Sequence, residues 1–250
     1  MNSVRVYIKL LGIQLRSQLQ YRISFLFDVL ATFVLIFFEF ASVALVILRF
    51  DTVGGWNLGE VAFLFGSVQF ADSLMDMIFS GFDPPYFGQN VRKGTFDQML
   101  LRPVNITMQV FGSRMDLRRI GQITQGLFIF LFALTLVEIN WSFEKVIVLI
   151  LSMISMFFFY GGIFIFGSTI TFWTIESIEA VNVLSYGSKE MISYPMHIYP
   201  QWMIRFFTVV VPAIFLNYFP AVFILEKASP LDFPAFTHWL TMPAGLFVFF

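Results

Sequence analysis

Residues 81–119 read GFDPPYFGQNVRKGTFDQMLLRPVNITMQVFGSRMDLRR, a polar break between two long apolar regions. Six of the chain's 15 Lys and Arg residues lie in it: Arg92, Lys93, Arg102, Arg114, Arg118 and Arg119. Its only acids are Asp83, Asp97 and Asp116. In a membrane protein so basic a loop stays on the cytoplasmic side, because positive loops resist translocation. Pro84-Pro85 is expected to stop the preceding helix. Behind Arg92-Lys93-Gly94, the residues Phe96, Met99, Leu100 and Pro103 recur at helical spacing. They predict a short amphipathic helix at the inner surface, with one face on the membrane domain and the other open to a partner. An ordinary positive-inside loop is the alternative.

The flanks set the class. Apolar residues make up 58% of the chain, Phe alone accounts for 35 residues, and charged residues are 12%. A soluble domain carries about twice that share of charge. The chain is therefore read as an all-α polytopic membrane protein. Its formal net charge of -1 conceals an asymmetry, since positive charge collects in residues 1–22 and 81–119. With no cysteine and two histidines, His197 and His238, disulfides, thiol chemistry and His-rich metal sites are excluded. No Gly-rich loop ends in Gly-Lys-Ser/Thr, so any ATP must be bound by another chain.

Residues 1–22 carry Arg5, Lys9, Arg16 and Arg22 and no acid, while Val4, Ile8, Leu11, Leu15 and Leu19 share one helical stripe. That pattern predicts an interfacial helix. It is not read as a cleavable signal peptide, because the following apolar run is too long and no small-x-small site follows. Spans are then expected at 23–48, 61–79, 120–137, 146–172 and 174–193, with short outer turns marked by Trp56 and Trp141. Residues 174–193 also read as an amphipathic loop helix. Gly161, Gly162 and Gly167 predict close helix packing in the fourth span. Residues 201–225, interrupted by Pro212 and Pro220, form either one kinked span or a re-entrant pair of half-helices. A last span begins at about 238–250, and the sequence looks truncated inside it.

Three acids inside the spans stand out, because an acid at a bilayer centre costs about 2.5–3.5 kcal/mol on insertion scales. Glu39 lies near the middle of the first span, where it fits either a pore, gate or subunit-interface role or a structural hydrogen bond. Asp72 and Asp76 are four apart on one helical face near the inner end, where an Arg from 114–119 could pair with them; a structural role is expected. Asp28 also lies near the inner end of the first span. Glu176 and Glu179 are expected to cap the turn that enters the fifth span. Gly94 is expected to supply a flexible or left-handed backbone position ahead of the helix, the alternative being an ordinary loop glycine. Arg92, Lys93, Asp97 and Arg102 suit either anionic headgroups or a protein groove.

The run Val91-Arg92-Lys93-Gly94-Thr95-Phe96-Asp97-Gln98-Met99-Leu100-Leu101-Arg102-Pro103 resembles the G-x-hydrophobic-D-x-x-L-L-R-P signature of ABC type-2 permeases. Tyr194-Pro195, Tyr199-Pro200, Pro212 and Asn217-Tyr218-Phe219-Pro220-Ala221 resemble the pattern before that family's last span. The resemblance implies an exporter subunit of a bacterial inner membrane, with six spans and both termini inside. It implies a dimer with a second permease subunit, identical or different, and two cytoplasmic ATPase subunits that hold ATP and Mg. No cofactor and no nucleic acid is expected on this chain. Arg92, Lys93, Gly94, Phe96, Asp97, Leu100, Arg102 and Pro103 would form the ATPase-coupling element, and 201–225 a re-entrant outer pair. The competing function is an ATP-independent carrier using Glu39, Asp72 and Asp76 as a proton relay.

Overall fold

The computed structural model describes residues 3–174, 179–227 and 234–248. Every regular element among them is helical. Helix α1 (Ser3–Gln20) breaks at Tyr21 and continues as α2 (Arg22–Phe50). At about 1.5 Å per residue, the 29 residues of α2 are longer than a bilayer core needs.

The chain reverses through residues 51–57, where Val53 and Trp56 form an isolated bridge and Gly54 and Gly55 have positive φ. Trp56 is not the exposed interfacial aromatic expected from sequence. It is 1% exposed and packs on Tyr218, with ring centroids 5.7 Å apart. A bent loop this short folds its indole back onto the bundle, where the apolar ring is better buried than wet. Asn57 and Glu60 then start α3 (Leu58–Phe79) with a reciprocal capping box.

Helix α3 is the buried axis of the bundle. Its main neighbour is α7 (Arg119–Leu136), and the two approach closely at paired glycines. A Cβ on Gly66 would sit 2.6 Å from the Phe130 backbone nitrogen, and one on Gly126 would sit 2.7 Å from that of Phe70. Helix α8 (Phe143–Thr174) packs on α3 through Gly161, which lies against the Phe79 ring, and Gly167 meets Val181 and Pro84. The close packing expected of α8 is present.

Residues 81–119 hold three short helices where one was expected: α4 (Pro84–Arg92), α5 (Thr95–Leu100) and α6 (Ile106–Ser113). The Pro84-Pro85 pair begins α4; α3 has already ended at Phe79, followed by a 3-10 turn over Ser80–Phe82. Proline is harmless in a first turn because its missing N–H would have no helical partner there.

Beyond α8, residues 175–178 lie outside the described residues, so Glu176 and the side chain of Glu179 do too. The remainder of the expected 174–193 span is α9 (Glu179–Asn182), a π-helical turn (Val183–Gly187) and α10 (Ser188–Ile192). Helices α11 (Gln201–Val209) and α12 (Ile214–Ile224) follow. The segments Gln201–Val209 and Pro212–Ile224 are bent by 74° about the break. Both outer ends of this pair lie beside the loop 51–57: His197 abuts Gly54, and Lys227 Nζ donates to the Gly55 carbonyl at 2.8 Å. Pro220 inside α12 cannot donate to the Leu216 carbonyl, and Ser152 Oγ of α8 does so instead, at 2.7 Å. A 3-10 segment (Ala235–Leu240) and α13 (Thr241–Leu246) complete the described chain.

Among the described residues, four helices are long and apolar enough to cross a membrane, or five if the bent pair counts as one span. Residues 1–2, 228–233 and 249–250 are outside the description, so the expected 238–250 span is seen only in part.

Candidate functional site

The expected coupling element is built on a left-handed glycine. Gly94 has φ 68 and separates α4 from α5, a backbone state open to glycine at little cost. It turns the chain so that Phe96 folds inward, edge-on to Phe87 at 5.4 Å and to Phe172 of α8 at 5.0 Å. Gln109 of α6 donates to the carbonyls of Met99 and Val104, at 3.1 and 3.0 Å, and fixes the far end of α5.

The six residues of α5 do not carry the whole stripe read from sequence. Phe96 and Met99 pack on the bundle, whereas Leu100 is 58% exposed, Leu101 is 86% exposed and Pro103 is also outside. The helix stops at Leu100, so the periodicity assumed through Pro103 is not continued. Arg92, Lys93, Asp97 and Arg102 are exposed around the two leucines. The result is a small apolar tip with mixed charge at its rim, anchored from behind by aromatic rings.

The same end of the molecule holds a network of paired charges. Arg119, at the start of α7, meets the Asp76 carboxylate at 2.6 Å and donates to Gln122 at 2.9 Å. Lys189 of α10 meets Asp72 at 2.9 Å. Asp72 and Asp76 do share a face, and each has its own cation. The acid pair therefore ties α3 to α7 and to α10, and it offers no tandem of free carboxylates for a proton relay.

In the loop before α7, Asp116 receives two 2.9 Å hydrogen bonds from Arg118 and lies 3.6 Å from Arg114. Burial alone would raise its pKa. The Arg118 hydrogen bonds and the charges of Arg118, Arg119 and Arg114 outweigh that and hold it below the ordinary carboxylate value. Arg114 also reaches Asp83 at 3.6 Å and lies over the Tyr86 ring.

Glu39 is elsewhere. It is half-buried on α2, within electrostatic reach of Glu190 and Lys189, and no ion pair holds its carboxylate among the described residues. The structure thus brings Asp72 and Asp76 into one network, sets Glu39 at its margin, and keeps the α5 group separate. No cluster of three metal-ligating side chains occurs among the described residues.

A family model described as ABC-2 family transporter protein matches residues 33–250, most of the chain. The chain belongs to the ABC-2 transporter family. No curated protein and no solved structure matches it. An ABC-2 permease is a membrane transport component, not itself the ATPase, and the apolar helices make this chain a multi-pass membrane protein. The matched region contains both α5 and the bent pair α11–α12.

Three sets of contacts in this ABC-2 chain have no counterpart in the sequence reading, although Asn217 itself belongs to the second signature. Asn217 of α12 is 2% exposed; it accepts from Ser67 Oγ at 2.9 Å and donates to the carbonyls of Leu64 and Ile192 at 3.2 and 3.0 Å. A lone Asn inside an apolar half-helix was the available signal, because a buried amide must find partners. At the end opposite the basic one, Lys145 pairs with Glu226 at 2.5 Å, and Lys227 with Glu60 at 2.8 Å. His238 lies 3.4 Å from Glu144 and stacks on Phe223. Their partners are distant in sequence, so no local spacing announces them.

Proposed function

We propose that this chain is the permease subunit of an ATP-binding-cassette exporter, driven by ATPase subunits on separate chains. The observation that carries the coupling site is the Leu100-Leu101 tip of α5. Two leucines held outward by a rigid aromatic backing suit a groove on a partner protein better than bulk water. The coupling group is Arg92, Lys93, Gly94, Phe96, Asp97, Leu100, Arg102 and Pro103. Phe96 and Gly94 position it, and the exposed residues make the contact.

In this reading the basic end, including the N-terminus, is cytoplasmic, in keeping with the positive-inside rule. The membrane is the bacterial inner membrane, and two permease subunits, identical or different, form the path. A push on α5 reaches α8 directly through the contact of Phe96 with Phe172. That is a route for switching a bundle between two packed states. Residues 174–193 serve as the fifth span and 238–250 as the start of the sixth. The bent pair is a re-entrant hairpin: both of its ends sit beside the loop 51–57, and neither half is long enough to cross alone. Glu39, without an ion pair among the described residues and placed near mid-membrane in this reading, faces the path or the second subunit.

The test is co-purification with co-expressed ATP-binding-cassette ATPase subunits, the first choice being one encoded beside this gene if there is one. Asp97→Lys or Arg102→Glu should abolish association while membrane insertion persists. Association that survives both changes contradicts the docking site.

A further inference from the structure

A cavity of about 390 Å³ lies between α1, the first turns of α2 and the loop before α7. Its walls include Gln14, Tyr21, Ser24, Asp28, Arg114 and Arg118. Helix α1 is pinned over it by an amide ladder: Gln14 donates to the Ser113 carbonyl at 2.7 Å and Gln18 to that of Met115 at 2.5 Å, while Leu117 N donates to Gln18 at 3.1 Å. The apolar stripe read from sequence faces the other way. Ile8, Leu15 and Leu19 are 62%, 44% and 41% exposed, and Leu26, Phe27 and Leu30 continue that apolar surface along α2. An amphipathic helix so disposed lies at the headgroup–acyl boundary, and the cavity opens there.

The lining is balanced in charge but divided in space. Arg118 spends Nε and Nη2 on Asp116 and retains Nη1; Arg114 holds its acids only at 3.6 Å. Asp28 is within electrostatic reach of Arg118, yet its carboxylate has no ion pair or hydrogen bond among the described residues. An acid near the end of a membrane helix without a close cation leaves a place for a ligand cation. A ligand that brings only negative charge would leave Asp28 facing it, and one with a quaternary ammonium could donate no hydrogen bond.

We infer that this cavity binds the headgroup of a zwitterionic phospholipid bearing a primary amine, drawn from the leaflet at the basic end. The phosphate lies toward Arg114 and Arg118, and the ammonium is held by Asp28. Such a lipid would brace α1 against the loop that leads into Arg119 of α7, independently of which ATPase or cargo the chain serves.

Native mass spectrometry of the detergent-solubilised chain with equal amounts of phosphatidylethanolamine, phosphatidylcholine and phosphatidylglycerol of identical acyl composition tests this. The ethanolamine lipid should be retained preferentially. Asp28→Asn should remove that preference by about tenfold or more, the loss expected of one charge-assisted hydrogen bond. Ser24→Phe, which fills the cavity from an exposed position on α2, should abolish retention, and Glu39→Gln should leave it unchanged. Equal retention of the three lipids by the unaltered chain, or undiminished retention by Ser24→Phe, overturns the site. Displacement by an equal concentration of soluble glycerophosphoethanolamine overturns the lipid as its source.

Discussion

Arg119 Nη2 lies 2.6 Å from the Asp76 carboxylate and joins the first turn of α7 to the basic end of α3. Asp76 is 10% and Arg119 28% exposed at the side chain, so this pair is neither dry nor freely solvated. Asp76→Asn should therefore cost about 1–3 kcal/mol, between the values typical of exposed and buried pairs. Thermal unfolding in detergent measures it. The double variant Asp76→Asn/Arg119→Gln should recover part of the loss, because it no longer leaves a partly buried cation without its carboxylate. A double variant less stable than the sum of the two single losses contradicts this account of the pair.

Asn217 joins three helices through one side chain. Asn217→Leu removes three hydrogen bonds and takes the amide donor from the Ile192 carbonyl, while the Leu64 carbonyl keeps Ser67 Oγ at 3.0 Å. A loss of about 2–4 kcal/mol is expected at about 1 kcal/mol per bond plus some penalty for the orphaned Ile192 carbonyl. Asn217→Asp should be worse, since a carboxylate cannot donate to either carbonyl. Melting temperatures within a degree of the unaltered chain for both variants would show that the hub is dispensable.

The α3–α7 seam depends on two absent side chains. At Gly66 and Gly126 the facing atoms are backbone, which cannot swing away. Gly126→Leu should cost about 1–3 kcal/mol or more through forced separation of the helices. Gly12→Leu, at a position with open space around it, is the matched control and should be nearly neutral by the same melting measurement.

Acid sensitivity of the basic loop follows from Asp116. Its folded pKa is depressed below the free value of 3.8, so its contribution to stability is complete above that value and disappears as the pH falls through the folded one. The stability difference between the unaltered chain and Asp116→Asn should stay constant from neutral pH down to about 5 and shrink only near and below 3.8. A difference that already shrinks between pH 7 and 6 would mean that another group holds the loop.

Much of the bundle could be read from the chain itself because long apolar runs bounded by charge have few alternatives. The helices at 22–50, 119–136 and 143–174 lie close to where hydropathy put them. Gly94 was legible in part: its sequence leaves a flexible, a left-handed or an ordinary loop position open, and its φ of 68 selects the left-handed one. Pro84-Pro85 misled, because proline both ends helices and begins them, and only the earlier stop at Phe79 decides between the two. The stripe through Leu100 and Pro103 is not continued because a six-residue helix has too few turns to establish its own period. Trp56 was placed at a surface because composition reports an indole's preference but not the tertiary pocket made for it by Tyr218. The pairs Asp72–Lys189 and Lys145–Glu226 unite residues from separate helices, and a one-dimensional pattern contains no such distance.

The proposal as a whole turns on which side of the membrane α5 faces and what touches it there. The chain has no cysteine, so Leu101→Cys introduces a single thiol at the most exposed point of the tip. Labelling with a membrane-impermeant maleimide should fail in intact cells, succeed in inside-out vesicles, and be suppressed in those vesicles when the partner ATPase is bound. Labelling from outside intact cells, or undiminished labelling with the ATPase in place, would contradict it.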